Sequence, residues 1–168
     1  MPATYEPIAT TTLGSAASSI TFSSIPSTYT DLRLVIVGSG STAGSAFYGF
    51  RFNNDSGANY SVTSIYGTGS SAASLRYTSE NSGYIDPVSQ IPSTITMGVM
   101  NVFSYAGSAN KTVLTEYNAD VNGSGGIVER SVNLWNSTAA INTITILSRS
   151  AATYAAGTTA TLYGIKNA

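Results

Sequence analysis

Asp31-Leu32-Arg33-Leu34-Val35-Ile36-Val37-Gly38-Ser39-Gly40-Ser41-Thr42-Ala43 supports two incompatible readings. An apolar run followed by G-x-G-x-x-A is the fingerprint of a dinucleotide-binding turn. That mechanism requires a helix next, because the pyrophosphate must meet a helix N-terminus. The next segment is instead strand-like: residues 46–53 set Phe47, Gly49 and Arg51 against Tyr48, Phe50 and Phe52. Within Asp31–Gly38, Leu32, Leu34 and Ile36 share one face, and Arg33, Val35 and Val37 the other. Both segments have the two-residue period of a sheet. The quoted stretch therefore reads as a strand running into a Gly-rich hairpin loop, and no nucleotide cofactor is expected.

The same pattern recurs on either side. Ile, Val, Thr, Tyr and Phe come in short runs bounded by Gly, Asn, Asp and Pro. Strands are predicted at Tyr5–Thr12, Ser19–Phe22, Asp31–Gly38, 46–53, 60–66, 74–78, 94–105, 111–118, 126–134, 141–148 and 160–166. Between them lie turn sequences such as Asn53-Asn54-Asp55-Ser56-Gly57, Asn81-Ser82-Gly83, Asp86-Pro87 and Asn122-Gly123-Ser124-Gly125-Gly126. Strong helix formers are scarce, with 4 Glu, 2 Lys and 8 Leu. About ten short strands predict an all-β antiparallel sandwich, jelly-roll-like, in one domain over 1–168. Pro2, Pro7 and the small residues of 14–19 make 1–18 a candidate extended arm.

Composition narrows the function. The 168 residues carry 7 basic and 8 acidic groups, only 9% charged in all, against about 25% for an average domain. Ser and Thr together supply 48 residues. A net charge of −1 gives no electrostatic reason to expect nucleic acid or an anionic membrane as partner. No run nears the ~18 apolar residues of a membrane span, and Met1–Glu6 lacks the features of a secretory signal. Without Cys or His there is no thiolate nucleophile, no zinc–sulfur site and no imidazole base.

Candidate sites are correspondingly weak. Glu116, Asp120 or Glu129 could in principle form a glycosidase pair, which needs carboxyl groups about 5–10 Å apart. On one strand Glu116 and Asp120 share a face but stand about 13 Å apart. A Ser-Lys pair would need Lys111 or Lys166 buried, whereas both neighbour Asn at turns. Residues Asn53–Gly57 could wrap a Ca²⁺ with oxygens, but they read first as an Asx turn. No catalytic, cofactor-binding or metal residue is assigned. Five N-x-S/T sites, at Asn54, Asn59, Asn110, Asn122 and Asn136, are near what this composition yields by chance. The 11 Tyr and Trp135 suit either core packing or an adaptable contact surface, and Trp135 with loop Tyr could stack on a sugar.

Four phrases go beyond composition: Ile20-Thr21-Phe22-Ser23-Ser24-Ile25-Pro26 leading to Tyr29-Thr30-Asp31-Leu32; Arg51 through Tyr60; Leu134-Trp135-Asn136-Ser137-Thr138-Ala139-Ala140-Ile141; and Thr161-Leu162-Tyr163-Gly164-Ile165-Lys166. In this order they resemble small virion structural proteins of tailed bacteriophages of the marine and cyanobacterial type. The resemblance implies a non-enzymatic β-sandwich serving as a head decoration (cement) protein, or else as a tail or fibre module. The implied setting is a virion assembled in the host cytoplasm. The implied partners are the major capsid protein or other virion proteins, further copies of the chain as a homotrimer, and a host glycan in the fibre case. The 1–18 arm would grip a neighbour by strand addition.

Overall fold

A computed structural model describes residues 4–41, 47–86, 94–120 and 125–166. They contain twelve strands and no helix. These are β1 (Tyr5–Thr12), β2 (Ser19–Phe22), β3 (Asp31–Gly38), β4 (Tyr48–Phe52), β5 (Tyr60–Gly67), β6 (Ala72–Glu80), β7 (Gly83–Tyr84), β8 (Thr96–Val102), β9 (Lys111–Asp120), β10 (Gly126–Trp135), β11 (Ile144–Ser148) and β12 (Thr159–Ile165). Eleven match the strands expected from the pattern. Only β7 has no counterpart, because two residues cannot display a period.

All pairings are antiparallel. One sheet has the order β1-β12-β3-β8-β9-β10-β5-β6, and the other β2-β11-β4-β7. Leaving out β5, β6, β9 and β10, the remaining eight strands form two interlocked four-stranded sheets, β1-β12-β3-β8 and β2-β11-β4-β7. Successive strands cross from one sheet to the other, except β4 and β7, which are neighbours in the smaller sheet; this is the jelly roll. The four other strands are two hairpins, β5–β6 and β9–β10. They join edge to edge and extend the first sheet past β8.

Two expectations are corrected. The Gly-rich segment after β3 is not a hairpin loop, because β3 and β4 belong to different sheets. It is a crossover: Gly40 bridges Tyr154 before the chain passes through 42–46, outside the described residues, into β4. The supposed arm is folded from Tyr5 onward. β1 pairs with β12 along its length, Lys166 bonds Glu6 at 2.9 Å, and Ala17 bridges Tyr154. Residues 1–3 of that arm lie outside the described residues, as do Pro87 and 121–124 of the expected turns.

The core forms where the inner faces meet. Leu32, Leu34 and Ile36 of β3 are fully buried, as are Tyr48, Phe50 and Phe52 of β4, so the alternation in the opening stretch points to the interior as expected. Ile144 and Ile146 of β11 and Leu162 of β12 complete the layer. At one end Phe52 and Tyr60 pack on Trp135, with ring centroids 5.5 and 6.4 Å apart. Contact at β7 is so close that a Cβ on Gly83 would fall 2.1 Å from the Phe50 ring. Glycine is required there for space.

Candidate interaction surface

The hairpin extension breaks the usual rule of apolar inside and polar outside. In β10 the inward residues are Ile127, Glu129, Ser131, Asn133 and Trp135, all buried. The outward residues are Val128, Arg130, Val132 and Leu134, all exposed. Three aliphatic side chains thus face solvent, while a carboxyl, a hydroxyl and an amide face the interior.

The interior polar groups have a structural task. Where Trp135 and Tyr60 pack on β4 the extension is apolar inside; further along, the described part of the second sheet that meets β10 and β5 is its short edge strand β7. Asn133 supplies the hydrogen bonds that a neighbouring strand would have made: its Oδ1 accepts from the Tyr84 N–H at 2.8 Å, and its Nδ2 donates to the Tyr84 carbonyl at 3.0 Å. Thr115 of β9 donates to the same carbonyl at 3.1 Å. Glu129 accepts from Ser64 of β5, and Ser131 donates to Ser64 at 2.9 Å. Asp86 is wholly buried, with neither carboxylate oxygen hydrogen-bonded among the described residues. Burial first, and the negative field of Glu129 with it, pushes its carboxyl well above the usual range, against the pull of Arg149. The Tyr84 hydroxyl is pushed up to about 12, by burial first and by its bond to Glu80.

The sequence candidates therefore separate. Glu116 and Asp120 stay on the outer face of β9, whose pairing with β10 runs unbroken from Lys111 to Asp120, so no bend brings them together. Glu129 points the opposite way, into the sandwich. Glu116 pairs instead with Arg130 at 2.6 Å. Lys111 is buried, contrary to the expectation from its place beside Asn110. The sandwich end closes over its stem, and its Nζ donates to the carbonyls of Gly107 and Ala109 rather than to a serine. Lys166 is tied to Glu6.

The Asn53–Gly57 loop is the expected Asx turn. Asn53 and Asn54 adopt positive φ, and Asp55 Oδ1 accepts from the Gly57 N–H at 2.8 Å. Trp135 completes it, its Nε1–H donating to Asp55 Oδ2 at 2.7 Å. Burial opposes the Asp55 charge, but the donors from Trp135, Asn59 and Gly57 together hold its carboxyl below the usual value. Trp135 is 2% exposed, so its ring is not available to stack on a sugar. Tyr60, Tyr105 and Tyr117 are buried as well. With Tyr48 and Tyr154 they pack the core.

The surface that remains is the outer face of the eight-stranded sheet. Cross-strand register orders it in rows. Val37, Met97, Asn118, Val128 and Gly67 form one row, from β3 to β5. Val35, Val99, Glu116, Arg130 and Ile65 form the next, in which Val99 is covered by its neighbours. Arg33, Asn101, Leu114, Val132 and Thr63 form the third. Val128 and Ile65 are 62% and 63% exposed, and Met97, Leu114, Val132 and Leu134 are also open. Two hollows of about 690 and 380 Å³ lie here, sharing Ile65, Glu116 and Arg130 in their walls. Scattered exposed apolar residues are ordinary, but a contiguous patch marks a contact site. The signal was present in the sequence: Val128, Val132 and Leu134 alternate with Glu129, Ser131 and Asn133. Taken alone, that alternation puts the wrong set inside.

The outer face of the smaller sheet is different. Arg51, Asn81, Ser82, Glu80 and Arg149 line a polar hollow of about 360 Å³. Arg149 lies over the Tyr84 ring, its guanidinium carbon 3.1 Å from the centroid. The fold and its surfaces define a jelly-roll β-sandwich with one apolar and one polar outer face. No family model matches this chain, nor does any curated protein or solved structure.

Proposed function

We propose that this chain is a non-enzymatic structural protein of a bacteriophage particle, a capsid decoration (cement) protein that stabilises the shell through subunit contacts. The observation that carries the reading is the apolar outer face of the eight-stranded sheet, where β10 turns Val128, Val132 and Leu134 outward. Covering such side chains contributes roughly 1 kcal/mol each at about 25 cal/mol per Å². A shell offers many identical seams over which that gain repeats. Low charge supports the same reading: a surface of Ser, Thr, Asn and Tyr is suited to burial between subunits, since few charges must be desolvated. Jelly rolls also serve as capsid and lectin domains, which is support by analogy of fold alone. The open side of the edge strand β1 offers a neighbour the strand addition expected of the N-terminal segment.

A second reading, a tail or fibre module that binds a host-surface glycan, is favoured by the polar hollow at Arg51, Asn81 and Arg149. Its hydroxyl, amide and guanidinium donors suit sugar hydroxyls or a sugar carboxylate. Quantitative protein composition of purified particles tests both. A copy number on the scale of the major capsid protein, with loss of shell stability in particles lacking the chain, is the expected result. A copy number on the scale of a tail, together with retention on host polysaccharide that Arg51→Ala abolishes, would replace the first reading with the second.

A further inference from the structure

We infer that the occupant of the apolar face is a second copy of this chain, related by a twofold axis that lies between the two large sheets, parallel to their strands, over the Glu116–Arg130 pair. The inference rests on the structural reading above and deepens it: a seam of the shell is spanned by two copies that meet through this face, each held to its own shell subunit by other surfaces. Three observations carry it.

The first is self-complementary shape. A twofold interface requires one patch to fit itself, with projections and recesses on the same surface. Arg130 is the projection, its side chain 72% exposed. The hollows are the recesses, and both are walled by Ile65, Glu116 and Arg130, so they flank the projection.

The second is self-complementary charge. Glu116 and Arg130 are register partners in the middle row, bounded by aliphatic rows that contain Val128 on one side and Leu114 and Val132 on the other. A twofold axis along the strands above this pair exchanges the two positions and so sets each guanidinium against the other copy's carboxylate. The charges then sit in an alternating square rather than in a lone pair. Facing sheets of a sandwich stand about 10 Å apart, within reach of an extended Arg.

The third is size. With the axis between β9 and β10, the six strands from β3 to β6 face their counterparts; at about 4.8 Å spacing and seven to eight residues of about 3.3 Å they make a face of roughly 24 by 24 Å, about 600 Å² from each copy and about 1,200 Å² in all, the low end of specific interfaces. A standard interface takes about 800 Å² from each partner. Arg33 at one margin bonds Asn101 at 3.1 Å, and Arg76 at the other bonds Thr63 at 2.7 Å. The face thus has an apolar centre and a polar rim.

The test is the mass of the purified full-length chain by sedimentation equilibrium, with Glu116→Arg, Arg130→Glu and their equimolar mixture beside it. The wild type is expected at twice 17.3 kDa. Each single variant sets like charges against one another across the axis, and its dissociation constant rises about 100-fold or more. The mixture regains the dimer, because a chain with arginine at both positions of the pair then faces a chain with glutamate at both. Val128→Lys, at a position too exposed to disturb folding, is expected to dissociate the dimer as well. Urea midpoints of the variants, measured at concentrations where all are monomeric, separate unfolding from dissociation. A wild-type monomer overturns the inference, as does a threefold mass or a mixture that stays monomeric. Particle copy number is independent of all three, so the decoration reading can stand or fall on its own.

Discussion

Replacing Asn133 by Ala removes the side chain that stands in for a missing strand opposite β7. Asn133 is fully buried and makes three hydrogen bonds: from the Tyr84 N–H at 2.8 Å, to the Tyr84 carbonyl at 3.0 Å and to Thr115 Oγ1 at 3.2 Å. The carbonyl keeps Thr115 as a donor, whereas the N–H loses this acceptor. A buried polar group left without a partner costs about 1–3 kcal/mol, and each lost net bond about 1 kcal/mol. The expected destabilisation is about 3 kcal/mol. In a chain of this length 1 kcal/mol moves Tm by about 2–4 °C, so the shift is about 6–12 °C. Urea denaturation at fixed protein concentration, with calorimetry, measures it. The slope with urea should hold while the midpoint falls, since the same surface unfolds. Asn101→Ala is the comparison: it removes a bond to Arg33 on the outer face and should cost under about 0.5 kcal/mol. If Asn133→Ala costs less than about 1 kcal/mol with an unchanged slope, the hydrogen bonds to Tyr84 do not hold β7 in place and the account of the polar interior is wrong.

The same geometry sets three further outcomes. Trp135→Phe keeps most of the ring packing but removes the donor to Asp55, and should lower stability by about 1.5–3 kcal/mol in urea at neutral pH; no change would mean that the loop holds itself. Gly83→Ala places a methyl 2.1 Å from the Phe50 ring and should cost at least about 1–3 kcal/mol, with a Tm equal to wild type as the contrary result. Asp86 holds a proton to higher pH when folded than when unfolded. Its contribution to stability is therefore fully present below the unfolded carboxylate range, near about pH 4, and is lost as pH rises toward the folded value. Asp86→Asn should gain on the wild type as pH is raised from about 4 to about 8, and urea midpoints in which the wild type gains on the variant instead would contradict the burial argument.

Much of the sandwich is legible in the sequence because single-sided strands report their period directly. Leu32, Leu34 and Ile36 stand on one face and turn inward, as do Tyr48, Phe50 and Phe52. Sheet membership is not legible in the same way. Nothing local in Gly38–Ser41 says whether the next strand pairs with β3 or crosses to the other layer, since the same turn chemistry serves both. The outer surface is hidden for another reason. Alternation identifies two faces of a strand but not which of them is buried, and in β10 the polar face is the buried one. Hydrophobicity alone assigns Val128 to the core and Glu129 to solvent. What reverses them is Tyr84, brought from about fifty residues away by the jelly-roll path. Lys111 is misplaced by the same kind of reasoning, because its acceptors are backbone carbonyls, which composition does not show.

The inverted strand bears on how the chain finds its register. Sliding β10 by one residue against β9 exchanges its two faces. It would bring Val128, Val132 and Leu134 inward, and by hydrophobic burial alone that arrangement competes with the native one. Its defect is that Tyr84 would then meet aliphatic carbon instead of the Asn133 amide. The polar side chains inside the sandwich thus act as a key: they contribute little net stability over a greasy alternative, but they leave only one alignment in which the Tyr84 backbone groups are answered. A chain that keeps its aliphatic residues for its neighbours has to mark the inside of the strand by other means, and here hydrogen bonding does so.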